Sequence, residues 1–147
     1  MAEILTARCL CGGLRCEITT PSAASAHCHC TYCRRAHGAA FVTWLVVPEA
    51  QFRIAAGEEL LQWYQSSEPS RRGFCATCGT TMLFASKLNP GEMHVAQALI
   101  EGDADRDPEI HCFPEQRMDW VKLDEGLPSV TAENELLLHY KKVPAAE

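Results

Sequence analysis

The spacing of cysteine constrains this chain more than any other feature. Nine cysteines stand at positions 9, 11, 16, 28, 30, 33, 75, 78 and 112. Seven of them fall in three tight groups: Cys9-x-Cys11, Cys28-x-Cys30-x-x-Cys33 and Cys75-x-x-Cys78. Loops this short let two or three thiolates converge on one metal ion at about 2.3 Å. Disulfides are a poor alternative. The cysteine total is odd, the N-terminal stretch MAEILTARCL has no secretory pattern, and disulfides stabilise most when they close long loops. A cytoplasmic setting, where thiols stay reduced, is therefore expected. Cys16 and Cys112 stand apart from the groups and read as buried free thiols.

Seven clustered thiols do not divide into sets of four. A four-cysteine zinc site is closed and structural, and its binding energy is folding energy. A three-cysteine site keeps an open position for water or a substrate atom. The two-cysteine groups pair most simply with each other, so that Cys9, Cys11, Cys75 and Cys78 share one ion and Cys28, Cys30 and Cys33 hold another. The competing partition joins Cys75 and Cys78 to two of the triplet and leaves loose thiols. A histidine could close the triplet. His27 and His29 alternate with Cys28 and Cys30, so on an extended segment they point the other way. His37 lies one helical turn beyond Cys33 and is the better fourth ligand. All-thiolate sites select zinc or iron–sulfur clusters, and a cluster wants four cysteines, so zinc is expected.

The remaining composition is that of an ordinary globular protein. The chain has 147 residues, 47% hydrophobic and 22% charged, which suits a single domain over residues 1–147. Its net charge is -6, which argues against a broad electrostatic grip on nucleic acid or an anionic membrane. The longest apolar run, from Ala39 to Val47, has the length of a strand and not of a membrane span. Alternation over Leu14–Thr19 predicts a half-buried strand after the Gly12-Gly13 turn. Further strands are predicted over Ala40–Val47, Gln51–Ile54, Leu60–Gln65, Thr80–Ala85 and Met93–Ile100, with Pro21–Ala26 as a connector. Trp44 and Trp63-Tyr64 are expected as core aromatics. The acidic stretch EGDADRDPE reads as a solvated loop, and Ala132–Lys142 as a short helix or a final strand.

Three segments, taken together, resemble a known family. CLCGGLRCEI, CHCTYCRRAHGAAF and RRGFCATCGTTMLF, followed by HCFPEQRMDWVKLDEGLP, resemble in that order the glutathione-dependent formaldehyde-activating enzyme and centromere protein V family. The likeness runs from Ala7 to Pro128, and residues 129–147 form a C-terminal extension without a counterpart. The resemblance implies a mainly β fold, a β-tent of curved antiparallel sheets stapled by zinc knuckles. It implies two zinc ions: a structural one on Cys9, Cys11, Cys75 and Cys78, and a catalytic one on Cys28, Cys30 and Cys33. With fewer thiolates and an open face, the second ion is expected to bind more weakly and to be only partly occupied. It also implies carbon–sulfur chemistry, the joining of glutathione and formaldehyde to S-hydroxymethylglutathione.

Elementary chemistry agrees with that direction. Three thiolates leave Zn²⁺ with a net charge of minus one, a weak activator of water. An incoming thiol is a more natural fourth ligand, held as its nucleophilic thiolate. Glutathione, the abundant cytosolic thiol, carries two carboxylates that need cationic partners. Arg34 and Arg35, beside the triplet, are the expected substrate-binding forks, with the pair Arg71-Arg72 beside the other group as the weaker alternative. Two other functions compete with the lyase. One is a zinc-stabilised glutathione-binding or carrier module without turnover. The other is methionine sulfoxide reduction through Cys112, which lacks the Arg-rich flank that stabilises a thiolate.

Overall fold

The computed structural model describes residues 2–122 and 126–140. Short strands with period-2 burial build two curved sheets. Strands β1 (Ile4–Arg8), β2 (Arg15–Thr19) and β5 (Phe52–Ala56) form a three-stranded sheet in the order β1-β2-β5. The larger sheet uses β3 (Ala24–Cys28), β4 (Val42–Pro48), β6 (Leu61–Gln65), β7 (Ser70–Cys75), β8 (Thr81–Ser86), β9 (Glu92–Ala96), β10 (Ile110–Cys112) and β11 (Ser129–Val130). Its order is β11-β10-β3-β4-β9-β8-β7-β6. The pairings are antiparallel except at one edge, where β10 runs parallel to both β3 and β11. One α-helix, α1 (Thr31–His37), follows β3.

The central strands of the large sheet, β4, β9 and β8, bury side chains on both faces. Leu45, Val47, Leu83, Met93 and Val95 point toward the small sheet, where they meet Leu5, Ala7, Cys16 and Ile18 in the main core. Their sequence neighbours Trp44, Phe84 and Ala96 point the other way and pack with Val42 and Cys33 in a second cluster. Alternation is a property of every strand, so one run of residues supplies both a core face and a site face.

Most predicted strands are present within a residue or two of the expected bounds. The strand predicted over Met93–Ile100 stops at Ala96 and turns into a 3-10 turn at Gln97–Leu99. The Pro21–Ala26 connector is instead half strand, because β3 starts at Ala24 and pairs with β4 on one side and β10 on the other. Trp44 is buried as expected, whereas Tyr64 is exposed. The acidic loop does more than face solvent. Asp105 accepts hydrogen bonds from the Ser22 N–H and hydroxyl at 2.8 and 2.7 Å, and Arg106 donates to Ser22 Oγ at 2.9 Å. That clasp fixes the approach to β3. Residues Glu135–Tyr140 form a 3-10 helix, while Lys141 and Lys142 lie outside the described residues. No helix among the described residues is long and apolar enough to cross a membrane.

One glycine is required by a close approach. Gly57 has φ +76°, and a Cβ there would collide with the Gly13 carbonyl where β2 meets β5. Gly91 has a similar φ of +82° with open space around it. Gly91→Ala should therefore cost only the backbone term, about 1 kcal/mol. Gly57→Ala adds a steric clash and should cost about 3 kcal/mol or more. Paired urea melts of the two variants measure the difference.

Candidate metal centres and cavity

The seven clustered thiols form two groups in space, divided as the simpler partition expects. Cys9, Cys11, Cys75 and Cys78 bring their sulfurs within 4.8 Å of one another, as do Cys28, Cys30 and Cys33. All nine cysteines are free thiols.

The four-thiol group joins two hairpin tips. Cys9 and Cys11 lie on the β1–β2 connection, where Cys9 N–H donates to Leu14 C=O and Gly12 N–H donates to Cys9 C=O, at 3.1 and 3.0 Å. Cys75 and Cys78 lie on the β7–β8 connection, closed by Gly79 N–H to Cys75 C=O at 2.8 Å and Cys75 N–H to Thr80 C=O at 3.0 Å. Gly12 and Gly79 adopt φ +77° and +79°, and each turns the chain directly after a thiol. The Thr80 hydroxyl accepts from Leu10 N–H at 3.0 Å and so ties one tip to the other. The fit to a metal can be tested on distances. Tetrahedral ligation at about 2.3 Å separates sulfurs by about 3.8 Å. Cys9 and Cys11 are 3.5 Å apart, and Cys11 and Cys75 are 3.8 Å apart. The Cys78 thiol is pulled down to about 5, first by its hydrogen bond with the Thr80 hydroxyl, which favours the ligating thiolate.

The three-thiol group is built at the join of β3 and α1. Cys28 ends the strand, Cys30 is the N-cap, and Cys33 completes the first turn, with Cys33 N–H donating to Cys30 Sγ at 3.3 Å. A cap residue followed three positions later by another thiol brings both sulfurs to one end of the helix. Cys33 Sγ also accepts from Trp44 Nε1 at 3.4 Å and Arg72 Nη1 at 3.5 Å. Hydrogen bonds from Cys28 and Cys30 hold the Cys33 thiol well below its ordinary range, and Arg72 and Trp44 act in the same direction. No histidine belongs to either group among the described residues. His37 instead packs edge-on against Trp44, with ring centroids 5.3 Å apart. His29 Nε2 hydrogen-bonds His111 Nδ1 at 2.9 Å, and His27 Nδ1 bonds Thr43 Oγ1 at 2.8 Å. The donor set of the triplet is therefore thiolate alone, which suits zinc.

This triplet opens on a cavity of about 610 Å³. Cross-strand register builds the cavity floor. Val46 is opposite His94, His94 opposite Phe84, and Phe84 opposite Arg72, across four strands. Arg72 is buried to 6% exposure, with its guanidinium 4.9 Å over the Phe84 ring and its Nε donating to Ser66 Oγ at 3.3 Å. Arg34 and Arg35 do not line the cavity. Both belong to the last turn of α1, where cations complement the helix C-terminus; Arg34 reaches Met118 Sδ and Arg35 is exposed. Arg71, exposed on the opposite face of β7, stacks over Trp63 at 3.9 Å. Arg72 is thus the arginine that lines the cavity. The period-2 alternation of β7 puts Ser70 and Arg72 on one face and Arg71 on the other. Cys112 reaches the cavity too, but burial pushes its thiol up to about 11, the wrong direction for a sulfoxide-reducing nucleophile. Cys16 sits in the main core, with its thiol pushed up to about 12, chiefly by burial.

Comparison with known proteins agrees with this arrangement. The family model of the glutathione-dependent formaldehyde-activating enzyme matches residues 4–116, which contain all seven clustered cysteines. The chain belongs to that family. Among solved structures it is similar to the crystal structure of a Rhodobacter sphaeroides protein, a structural genomics target. The two share 25% identity with a TM-score of 0.59 over 85% of this chain and 99% of that one. No functionally curated protein matches the chain. As a formaldehyde-activating enzyme family member, the chain carries the family's glutathione- and formaldehyde-related lineage, and its two thiol groups can each hold a metal ion.

The two groups should respond differently to mutation. Structural zinc contributes about 10–16 kcal/mol in small zinc peptides, against a total domain stability of about 5–15 kcal/mol. Cys75→Ser should therefore leave the protein insoluble or lower its Tm by about 15 °C or more. Cys28, Cys30 and Cys33 span only one short loop, so Cys33→Ser should lower Tm by about 5 °C or less. Calorimetric melts check both values.

Proposed function

We propose that this protein is a zinc-dependent, carbon–sulfur lyase-type enzyme, acting on glutathione or a related thiol and on formaldehyde or another small aldehyde. The single observation that carries this reading is an all-thiolate triplet, without a fourth protein ligand among the described residues, in the wall of a cavity that also holds a buried guanidinium. Cys28, Cys30 and Cys33 would hold the catalytic zinc, and Cys9, Cys11, Cys75 and Cys78 the structural one. When bound there, zinc would supply a positive charge that keeps an incoming thiol in its reactive thiolate form. The protein's own residues do the rest. Arg72 takes a substrate carboxylate, the role expected of Arg34 and Arg35 from sequence, because it is the guanidinium at the cavity wall. Trp44 and Arg72 donate to Cys33 Sγ and fix the orientation of that ligand. Phe84 and Trp44 form an apolar wall that keeps bulk water from the reacting sulfur.

The reaction is balanced without an oxidant or reductant. The thiol sulfur bonds to the carbonyl carbon, the carbonyl π pair moves to oxygen, and the thiol proton ends on that oxygen as the new hydroxyl. Reversal releases aldehyde and thiol. A reducing setting such as the cytoplasm, where thiols stay reduced, suits this chemistry.

Calorimetry with glutathione tests the reading. Binding should be seen with the free thiol and should weaken at least about tenfold with S-methylglutathione, which cannot present a thiolate. Arg72→Lys keeps the charge but loses the fork, and should weaken binding about tenfold. Arg71→Lys, on the outer face, should not change it. Equal affinity for the free and methylated thiols would contradict direct sulfur ligation. Glutathione binding with no acceleration of hydroxymethyl exchange, followed by NMR, would make the protein a carrier and not an enzyme.

A further inference from the structure

The cavity's wall is completed by a part of the chain outside the family match. The matched region ends at residue 116, yet Val130, Leu136 and Leu137 line the cavity. This tail is anchored in the fold. β11 pairs with β10, with Val130 opposite Cys112 and Cys112 opposite Cys28. His111 N–H donates to Pro128 C=O at 3.0 Å, and Ala132 N–H donates to Glu115 Oε1 at 3.1 Å. Val130 and Leu137 are buried, at 8% and 5% exposure, whereas Leu136 is 61% exposed. The tail thus presents leucine and valine to the same space that the thiol triplet and Arg72 face.

The charge inventory of that space is lopsided. Among its described lining residues Arg72 is the one lysine or arginine. Its Nε and Nη1 are used by Ser66 and Cys33, and Nη2 makes no hydrogen bond to the described residues. The lining acids are already engaged: Glu92 with His94 at 3.0 Å, and Glu109 with Arg106 at 2.7 Å. Glutathione brings two carboxylates and an ammonium group. One guanidinium matches one carboxylate, and the second carboxylate finds no further cation in the described lining, where neutral polar groups such as Ser66, Ser67 and Ser70 share the wall with Phe84, Phe113, Ile110 and the tail leucines. Burying charge against such a surface is costly. An apolar body there is favoured.

We infer that the preferred thiol is one with a single carboxylate and an apolar, aryl or alkyl body, selected by Arg72 together with the wall that Val130, Leu136 and Leu137 add. The inference rests on the proposed thiol chemistry at the Cys28, Cys30 and Cys33 site. The carboxylate meets Arg72, the sulfur meets the triplet beside it, and the apolar body lies along the tail.

Calorimetry on the full zinc-loaded chain tests it with three probes: glutathione, 2-mercapto-3-phenylpropanoate, and 3-phenylpropanoate, which lacks the thiol. The mercapto acid should bind at least about tenfold more tightly than glutathione. Leu136→Gln, a change at an exposed position that leaves the fold intact, and Leu137→Ala should each weaken the mercapto acid by a larger factor than glutathione. Glutathione binding as tightly as the mercapto acid, or equal losses for both thiols in the leucine variants, would overturn the inference and leave the proposed function standing. If 3-phenylpropanoate binds as tightly as its mercapto counterpart, the thiol reading beneath it fails as well.

Discussion

Four thiols at two hairpin tips set the geometry on which the rest depends. One tip belongs to the small sheet and the other to the large one. Sixty-four residues separate Cys11 from Cys75, so bringing them to 3.8 Å closes a long loop. That closure costs chain entropy, which the Leu10–Thr80 hydrogen bond and the shared core help to offset, and a metal ion held by the four thiols would offset it further. With the tips fixed, the two sheets can press Leu14, Ile18, Leu45, Leu83 and Val95 into a core without exposed surface. The same fixation sets the position of β7, and β7 carries Arg72.

The large sheet then does two jobs with one set of strands. On β4, Leu45 and Val47 enter the core while Trp44 faces the cavity side; on β8, Leu83 and Phe84 divide in the same way. A substitution on either face therefore moves the other through the shared backbone. Tight packing of the core face is what holds the register Arg72, Phe84, His94, Val46 across the floor. Rigidity of this floor gives a preorganised cavity wall, and ligand sites on strands are held more closely than sites on loops.

Much of this was legible in the sequence, for local reasons. The cysteine groups are visible because ligation needs short spacings; spacing leaves two partitions open, and the structure assembles the simpler one. Strands β2, β4, β6 and β8 are visible because they are rich in β-branched, aromatic or alternating residues. The rest depends on contacts distant in sequence. β3 is made of Ala, Ser and His and gains strand structure only from its partners on both sides. α1 is seven residues long, set by the Cys30 cap and the left-handed Gly38 that ends it, and not by a helical apolar period. Arg34-Arg35 and Arg71-Arg72 look alike as sequence pairs. A helix end puts the first pair away from the cavity, while strand alternation separates the second and buries one member of it. The tail beyond residue 128 carries no motif, and its place in the cavity wall emerges only from where β11 docks.

The central claim is one closed site and one open one. Native mass spectrometry of the protein prepared without chelator tests it most directly. The account predicts two zinc ions per chain, and one in Cys28→Ser with the fold retained. A single ion in the wild type that survives Cys28→Ser would contradict it.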